Sequence, residues 1–263
     1  MQIRFEDYAG SVDAARYLIA ARESGIAGPR LPADCRPQSL GQAFAVQQRT
    51  AQLLRETRQD GIAAWKSALP SPEKTVVAPI YASTAAHAEA GPVSVRTGVV
   101  RIEPEIAFEI ARDLPARDTP YAEAEVDAAI GGARLALEIL GCRYASPEHA
   151  SLPELLADHM FNQGLVLGPR IASPDAAPGS MSITLSVDGA EVEHHAGIHP
   201  NDRPKAGLYW LANFLREQGL GLAAGQHVIT GSYAGFLDVP ANQDVALAFG
   251  DLGVLKVRFS FSG

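Results

Sequence analysis

The sequence predicts an α+β fold with helices first and strands after. Three observations carry this. Residues up to about 60 show helical periodicity and helix caps. From Val93 onward the pattern turns to alternating, strand-like runs. Only two helical stretches interrupt those runs. Segregation of this kind favours α+β over a doubly wound parallel sheet. The predicted organisation is a helical N-terminal segment over 1–75 and a β-rich core over 76–263.

Ser11 is placed to cap a helix carrying Val12, Ala15 and Ile19 that ends near Gly25. Ser39 and Gln42 form a capping-box pattern before a helix with Leu40, Phe44, Ala51 and Leu54, stopped near Gly61. Ile62 to Ser67 reads as a short strand. Pro70, Pro72 and Pro79 mark a connecting loop. Strands are predicted over 93–96, 99–111, 182–187, 227–232, 244–249 and 253–261. Between them a helix is predicted from Thr119–Pro120 to Leu140, with proline at its start and Gly141 past its end. A second covers 202–218, with Leu208, Leu211 and Leu215 on one face.

The chain has 263 residues, 47% of them hydrophobic, which is enough to bury a sizeable core. A net charge of −8 without a basic stripe argues against nucleic acid and anionic membranes. Two cysteines, Cys35 and Cys142, match no metal motif and suggest a reducing compartment. The first residues lack an apolar core segment, so no secretory signal is predicted. No apolar run approaches the ~20 residues needed to span a bilayer. A cytoplasmic location is the expectation.

The run Arg101-Ile102-Glu103-Pro104-Glu105-Ile106-Ala107-Phe108-Glu109 is the most informative. On a strand, Glu103 and Glu105 point the same way, ~7 Å apart. Ile102, Ile106, Phe108 and Ile110 take the opposite, core-facing parity. Two like charges on one face repel unless something positive lies between them, and a hard divalent cation suits carboxylates. A solvated polar face is the plain alternative. Glu109 shares the parity but lies too far along to join such a site.

Glu138 falls in the last turn of the 120–140 helix, where a carboxylate meets the negative end of the helix dipole. It reads either as a surface residue or as a ligand to a nearby metal. Lys66, in Ala63-Ala64-Trp65-Lys66-Ser67-Ala68, reads either as an end-of-strand lysine with its head in water or as a functional group in a cleft. His194, His195 and His199, and the pair Asp158–His159, invite a zinc reading. Gly197 and Pro200 argue against the helix that would bring His195 and His199 together. Gly219-Leu220-Gly221-Leu222-Ala223-Ala224 fits a dinucleotide fingerprint in spacing only, since it follows a helix and precedes a strand.

Taken together these segments resemble the fumarylacetoacetate hydrolase superfamily, in its hydratase/decarboxylase branch. That branch includes 2-hydroxypenta-2,4-dienoate hydratases and 4-oxalocrotonate decarboxylases. Ala43-Phe44-Ala45-Val46-Gln47 is similar to the branch's Ala-Tyr-x-x-Gln helix. Glu103-Pro104-Glu105-Ile106-Ala107-Phe108 followed by Asp113-Leu114 is similar to its Glu-x-Glu-Ile-Ala-Phe…Asp-Leu segment. Leu137-Glu138-Ile139 matches the segment of the third acidic ligand. Asp158 with Gly164–Gly168, then Trp210–Asn213 and Thr230-Gly231-Ser232, fit later motifs.

The resemblance implies a mixed β-roll behind the helical segment, and a homo-oligomer. It implies that Glu103, Glu105 and Glu138 bind Mg²⁺ or Mn²⁺, with Lys66, Thr230 and Ser232 on the substrate and Lys66 as the catalytic group. The implied substrate is a small 2-oxo acid from aromatic-compound catabolism. The metal would chelate its carboxylate and 2-oxo group and stabilise an enolate.

One departure stands out. The hydratases carry Gly-x-Lys-Ile-Gly-x-Thr around the lysine, whereas this chain has Ala64-Trp65-Lys66-Ser67-Ala68-Leu69-Pro70. The lysine stays; both glycines and the threonine are gone. The related C–C hydrolases often use a Glu–His pair on an N-terminal lid, and no histidine precedes His87 here. Hydration of a 2-hydroxydienoate is the leading expectation. Three alternatives remain: hydrolysis of an acylpyruvate such as maleylpyruvate or fumarylpyruvate, decarboxylation of a vinylogous 2-oxo acid, and a non-catalytic partner subunit.

Overall fold

The computed structural model describes residues 4–71, 75–201 and 203–262. Two helices open it, α1 (Ser11–Ser24) and α2 (Leu40–Arg58). Gly10, not Ser11, caps α1, and Gly25 ends it in the left-handed region at φ 67°. Ser39 caps α2 as expected, its Oγ accepting from the Gln42 N–H. The buried face of α2 includes Leu40, Phe44, Val46 and Leu54. The amide of Gln47 on that face donates to the carbonyls of Val77 and Leu156.

The strands follow as β1 (Ile62–Ala68), β2 (Val76–Tyr81), β3 (Ala85–His87), β4 (Val93–Ser94) and β5 (Val99–Ile110). Helix α3 (Glu123–Ala129) leads into β6 (Ile130–Leu140), and α4 (Leu152–Ala157) precedes β7 (Asn162–Arg170). Then come β8 (Ser180–Val187), β9 (Ala190–Ile198), α5 (Ala206–Glu217), β10 (His227–Ile229), β11 (Leu237–Pro240), β12 (Asp244–Phe249) and β13 (Val254–Ser260). A curled mixed sheet has the order β2-β1-β10-β5-β6-β7-β3, with β11 also paired to β5. A second sheet runs β4-β13-β12-β8-β9. The sheets meet closely at Gly168, where an added Cβ would lie 2.6 Å from Leu255. Among the described residues no helix is long and apolar enough to cross a membrane. Both cysteines are free.

Two expectations need correction. The helix predicted over 120–140 survives only as α3; from Ile130 the chain is a strand. Alanines and leucines there favour a helix, but Gly131 and Gly132 weaken one. The long strand β5 also needs a hydrogen-bonding partner, and β6 pairs with it from Arg101↔Leu140 to Ile110↔Ile130. The stretch around Pro79 is likewise a strand rather than a loop, and every residue of β2 is buried. Proline is tolerated because β2 is an edge strand. Pro72 lies outside the described residues. Strand β1 falls within 1–75, yet it sits inside the large sheet between β2 and β10.

Candidate metal centre

Strand β5 sets Glu103, Glu105, Ala107 and Glu109 on one face. Ile102, Ile106, Phe108 and Ile110 turn the other way into the main core. Ala107 instead joins Ala64, Ile80, Ala136, Leu165, Leu167 and Ile229 in a smaller apolar cluster on the carboxylate side. Pairing of β5 with β6 then places Glu138 directly opposite Glu103. Like charges in that relation are destabilising. Oxygens of Glu103, Glu105 and Glu138 all lie within 4.8 Å of one another. Glu105 is 2% exposed and Glu138 0%.

Burial, then the charges of Glu138 and Glu103, push the Glu105 carboxyl well above the usual carboxylate range. Lys66 and the Gly231 N–H act in the opposite sense. That N–H donates to Glu105 Oε2 at 2.6 Å. Gly231 sits at φ 137°, and a Cβ there would come 2.6 Å from Pro200. Only glycine lets the backbone approach the carboxylate in this way.

Lys66 comes from β1 and is 8% exposed. Its Nζ donates to Glu138 Oε1 at 2.6 Å and to the Met160 carbonyl at 3.0 Å. Burial alone would lower its pKa; Glu138 and Glu103 outweigh that and raise it, so the ammonium stays charged. Asn162 Nδ2 donates to the same Glu138 oxygen at 2.8 Å. The two oxygens of Glu138 are therefore unequal. Oε1 has two donors, whereas Oε2 is buried without a hydrogen-bond partner. A buried carboxylate oxygen without a donor is costly. A hard cation supplies the missing partner, and an all-carboxylate donor set suits Mg²⁺ or Mn²⁺. The residues present therefore fit such an ion.

The other expected residues lie close by or elsewhere. Thr230 is buried beside the site; its hydroxyl donates to the Pro204 carbonyl and faces His199 Nε2 at 3.3 Å. Ser232 Oγ bonds to the Gly235 carbonyl at 2.7 Å. His199 Nδ1 accepts from the Asn201 N–H at 3.2 Å, which leaves Nε2 as the donor toward Thr230. His194 and His195 lie on β9 and contact Thr184 and Glu193. Asp158 pairs with Arg143, and His159 with Tyr81. Among the described residues the three glutamates form the metal-ligating cluster, and no histidine joins it.

Sequence reasoning missed Asn162, the Met160 carbonyl and the Gly231 N–H. The two backbone groups leave no mark on side-chain chemistry. Asn162 opens β7 after a turn in which His159, Met160 and Phe161 all have positive φ, at 62°, 46° and 67°. Each such non-glycine residue costs about 1 kcal/mol or more.

A family model described as "Fumarylacetoacetate (FAA) hydrolase C-terminal" matches residues 42–260, and the chain belongs to that family. Its curled mixed sheet behind N-terminal helices is the fumarylacetoacetate hydrolase fold. Within the family the chain is similar to a 4-oxalocrotonate decarboxylase from a Pseudomonas species, 28% identical over 62% of this chain and 61% of that protein. It is equally similar to an Escherichia coli 2-oxo-hept-4-ene-1,7-dioate hydratase, 28% identical over 61% of this chain and 62% of that protein. The chain thus spans about three fifths of the length of these relatives, 61% and 62%. The structure of Pseudomonas putida G7 4-oxalocrotonate decarboxylase, complexed with magnesium and adipate, superposes with a TM-score of 0.77. That match is 20% identical and covers 97% of this chain and 99% of the other.

Proposed function

We propose that this protein is a divalent-metal-dependent enzyme acting on a small 2-oxo acid of aromatic-compound catabolism, and that it adds water to a 2-hydroxydienoate. The observation that carries the proposal is the division of Glu138 between Lys66 and Asn162 on one oxygen and no partner on the other. Glu103, Glu105 and Glu138 would hold Mg²⁺ or Mn²⁺. When bound, the ion supplies Lewis acidity for the 2-oxo carboxylate end of the substrate. The chain's own residues do the rest. Lys66, held charged among carboxylates, donates a proton toward the reacting carbons. The Gly231 N–H fixes the orientation of Glu105, and the Thr230–Ser232 segment closes the substrate side. The apolar cluster around Ala107, Ala136 and Leu167 lies on the carboxylate side of the sheet.

Hydration is kept ahead of C–C hydrolysis because no histidine precedes His87 to form the Glu–His pair that the related hydrolases often carry on an N-terminal lid. Decarboxylation of a vinylogous 2-oxo acid is the second reading, because it too asks for a proton donor at carbon and Lys66 is one. We further propose a cytoplasmic homo-oligomer. A product assay separates the reactions, using 2-hydroxypentadienoate, 4-oxalocrotonate, maleylpyruvate and fumarylpyruvate with Mg²⁺ or Mn²⁺. Hydration gives a single product heavier by one water, decarboxylation releases CO₂, and hydrolysis releases pyruvate. Pyruvate from the acylpyruvates, with no hydrated adduct, overturns the lead reading.

A further inference from the structure

The turn His159–Met160–Phe161 contains neither glycine nor asparagine, yet all three residues sit in the left-handed region, at φ 62°, 46° and 67°. Histidine tolerates that conformation better than most residues, but methionine and phenylalanine do not, so contacts from outside the turn hold it. Its ends are fixed by arginines. Arg143 donates to the Asp158 carboxylate and to the Asp158 carbonyl at 2.6 Å. The Asn162 carbonyl accepts from Arg143 at 2.9 Å and from Arg22 at 3.1 Å. Within the turn, His159 Nε2 meets the Tyr81 hydroxyl at 3.0 Å, the two rings standing edge to face. Tyr81 ends β2 and is paired with Ile62 of β1, the strand that carries Lys66.

We propose that the Tyr81–His159 pair is a positioning device: it locks this left-handed turn to the sheet, and the turn aims Lys66 and Glu138. The inference rests on reading the three glutamates as a metal centre. The turn contributes two groups to that centre, the Met160 carbonyl that accepts from Lys66 and the Asn162 amide that donates to Glu138. Together they hold Lys66 and Glu138 Oε1 to one side and leave Glu138 Oε2 for a cation. Burial, then the nearby charges of Arg22, Arg143 and Lys66, hold the His159 pKa well below its ordinary value. The ring is neutral and accepts or donates at Nε2 without adding a charge. If the pair is broken, the turn can relax toward negative φ and withdraw both groups. Lys66 then bonds to the carboxylates alone, and an incoming cation has to displace it.

The test compares wild type with Tyr81→Phe, which keeps the ring and removes only the hydroxyl. Metal-stripped proteins are titrated with Mn²⁺ by calorimetry. At saturating Mn²⁺, exchange of the C3 protons of 2-oxobutanoate with D₂O is followed by NMR. The expected result is a Mn²⁺ affinity about 10-fold weaker and an exchange rate about 10-fold slower, with a cooperative melt retained. Unchanged affinity overturns the proposal. A variant without a cooperative melt overturns it as well, since the pair would then be ordinary core structure. If wild type shows no exchange, affinity alone decides. A wild type that does not bind Mn²⁺ removes the metal-centre reading itself. A wild type that binds it no better than Tyr81→Phe removes only the positioning role.

Discussion

Strand β5 carries glutamates toward both of its ends on one face, and the two ends are built differently. At Glu109 the carboxylate meets Arg170 at 2.5 Å, and the position opposite is His227. Arg134, two residues along β6 from the position opposite Glu109, donates to the Gly168 carbonyl. Glu109 Oε2 makes no well-aligned hydrogen bond but lies against the Arg170 guanidinium, so one carboxylate faces one cation there. At Glu103 and Glu105 the register brings in a third carboxylate, Glu138, and the ammonium in the cluster is Lys66. Glu138 Oε2 is buried without a hydrogen-bond partner, and where Glu109 has an arginine against it, three carboxylates here cluster around one lysine. Residue type and strand face are common to both ends, so neither explains the difference. What differs is the crowding of buried carboxylates, which the fold relieves either by a bound cation or by keeping a proton on Glu105, whose pKa is pushed up.

The strongest way to break this contrast is to neutralise one carboxylate at each end. Glu138→Gln should weaken Mn²⁺ binding about 100-fold or more, because a charged hard ligand becomes neutral. Glu109→Gln should leave Mn²⁺ affinity within about 3-fold, as expected of a surface-type ion pair worth about 1 kcal/mol or less. Calorimetric titration of both variants decides the matter, and equal losses would erase the distinction. Lys66→Met sharpens it further. Turnover on the substrate found in the product assay should fall about 100-fold or more. Mn²⁺ affinity should not fall, since a competitor for Glu138 has been removed. A variant with wild-type turnover would make Lys66 a structural counter-ion.

The two ends were unequally legible in the sequence. The parity of Glu103 and Glu105 was plain, because strand period and the apolar partners Ile102, Ile106 and Phe108 agree. Glu138 was visible as a candidate through the family resemblance, but its setting was misread as a helix end. Its strand is written in helix-forming residues, and only pairing with β5 makes it a strand. That is long-range information a local pattern does not hold. The turn before Asn162 was invisible for a related reason. Positive φ at His159, Met160 and Phe161 has no glycine to announce it and is enforced by Arg143, Arg22 and Tyr81 from elsewhere in the chain. The element order and most strands from Val93 onward were readable because alternation and turn residues coincide.

The smallest expected effect belongs to the matched end and concerns stability rather than binding. His227 is half-buried opposite Glu109. Burial, with Arg134, His87 and Arg170 nearby, lowers its pKa to about 4 despite the opposing pull of Glu109. An unfolded histidine titrates near 6.5. Below that pH the unfolded chain takes up a proton that the folded chain refuses, so unfolding is favoured. The stability from a neutral His227 is therefore fully present above about pH 6.5 and is lost as pH falls toward about 4. Between pH 7 and 4.5 the loss should be about 2 kcal/mol. His159, also held well below its ordinary value, adds a loss of the same sign. His227→Gln removes only the first contribution. Urea unfolding of wild type and His227→Gln, both with chelator present, should show a shallower fall for the variant over this range. Because the carboxylate cluster is identical in the two proteins, its own titration cancels in the difference. Parallel curves would mean that His227 takes up its proton in the folded protein, and that the matched end contributes no pH-dependent stability through it.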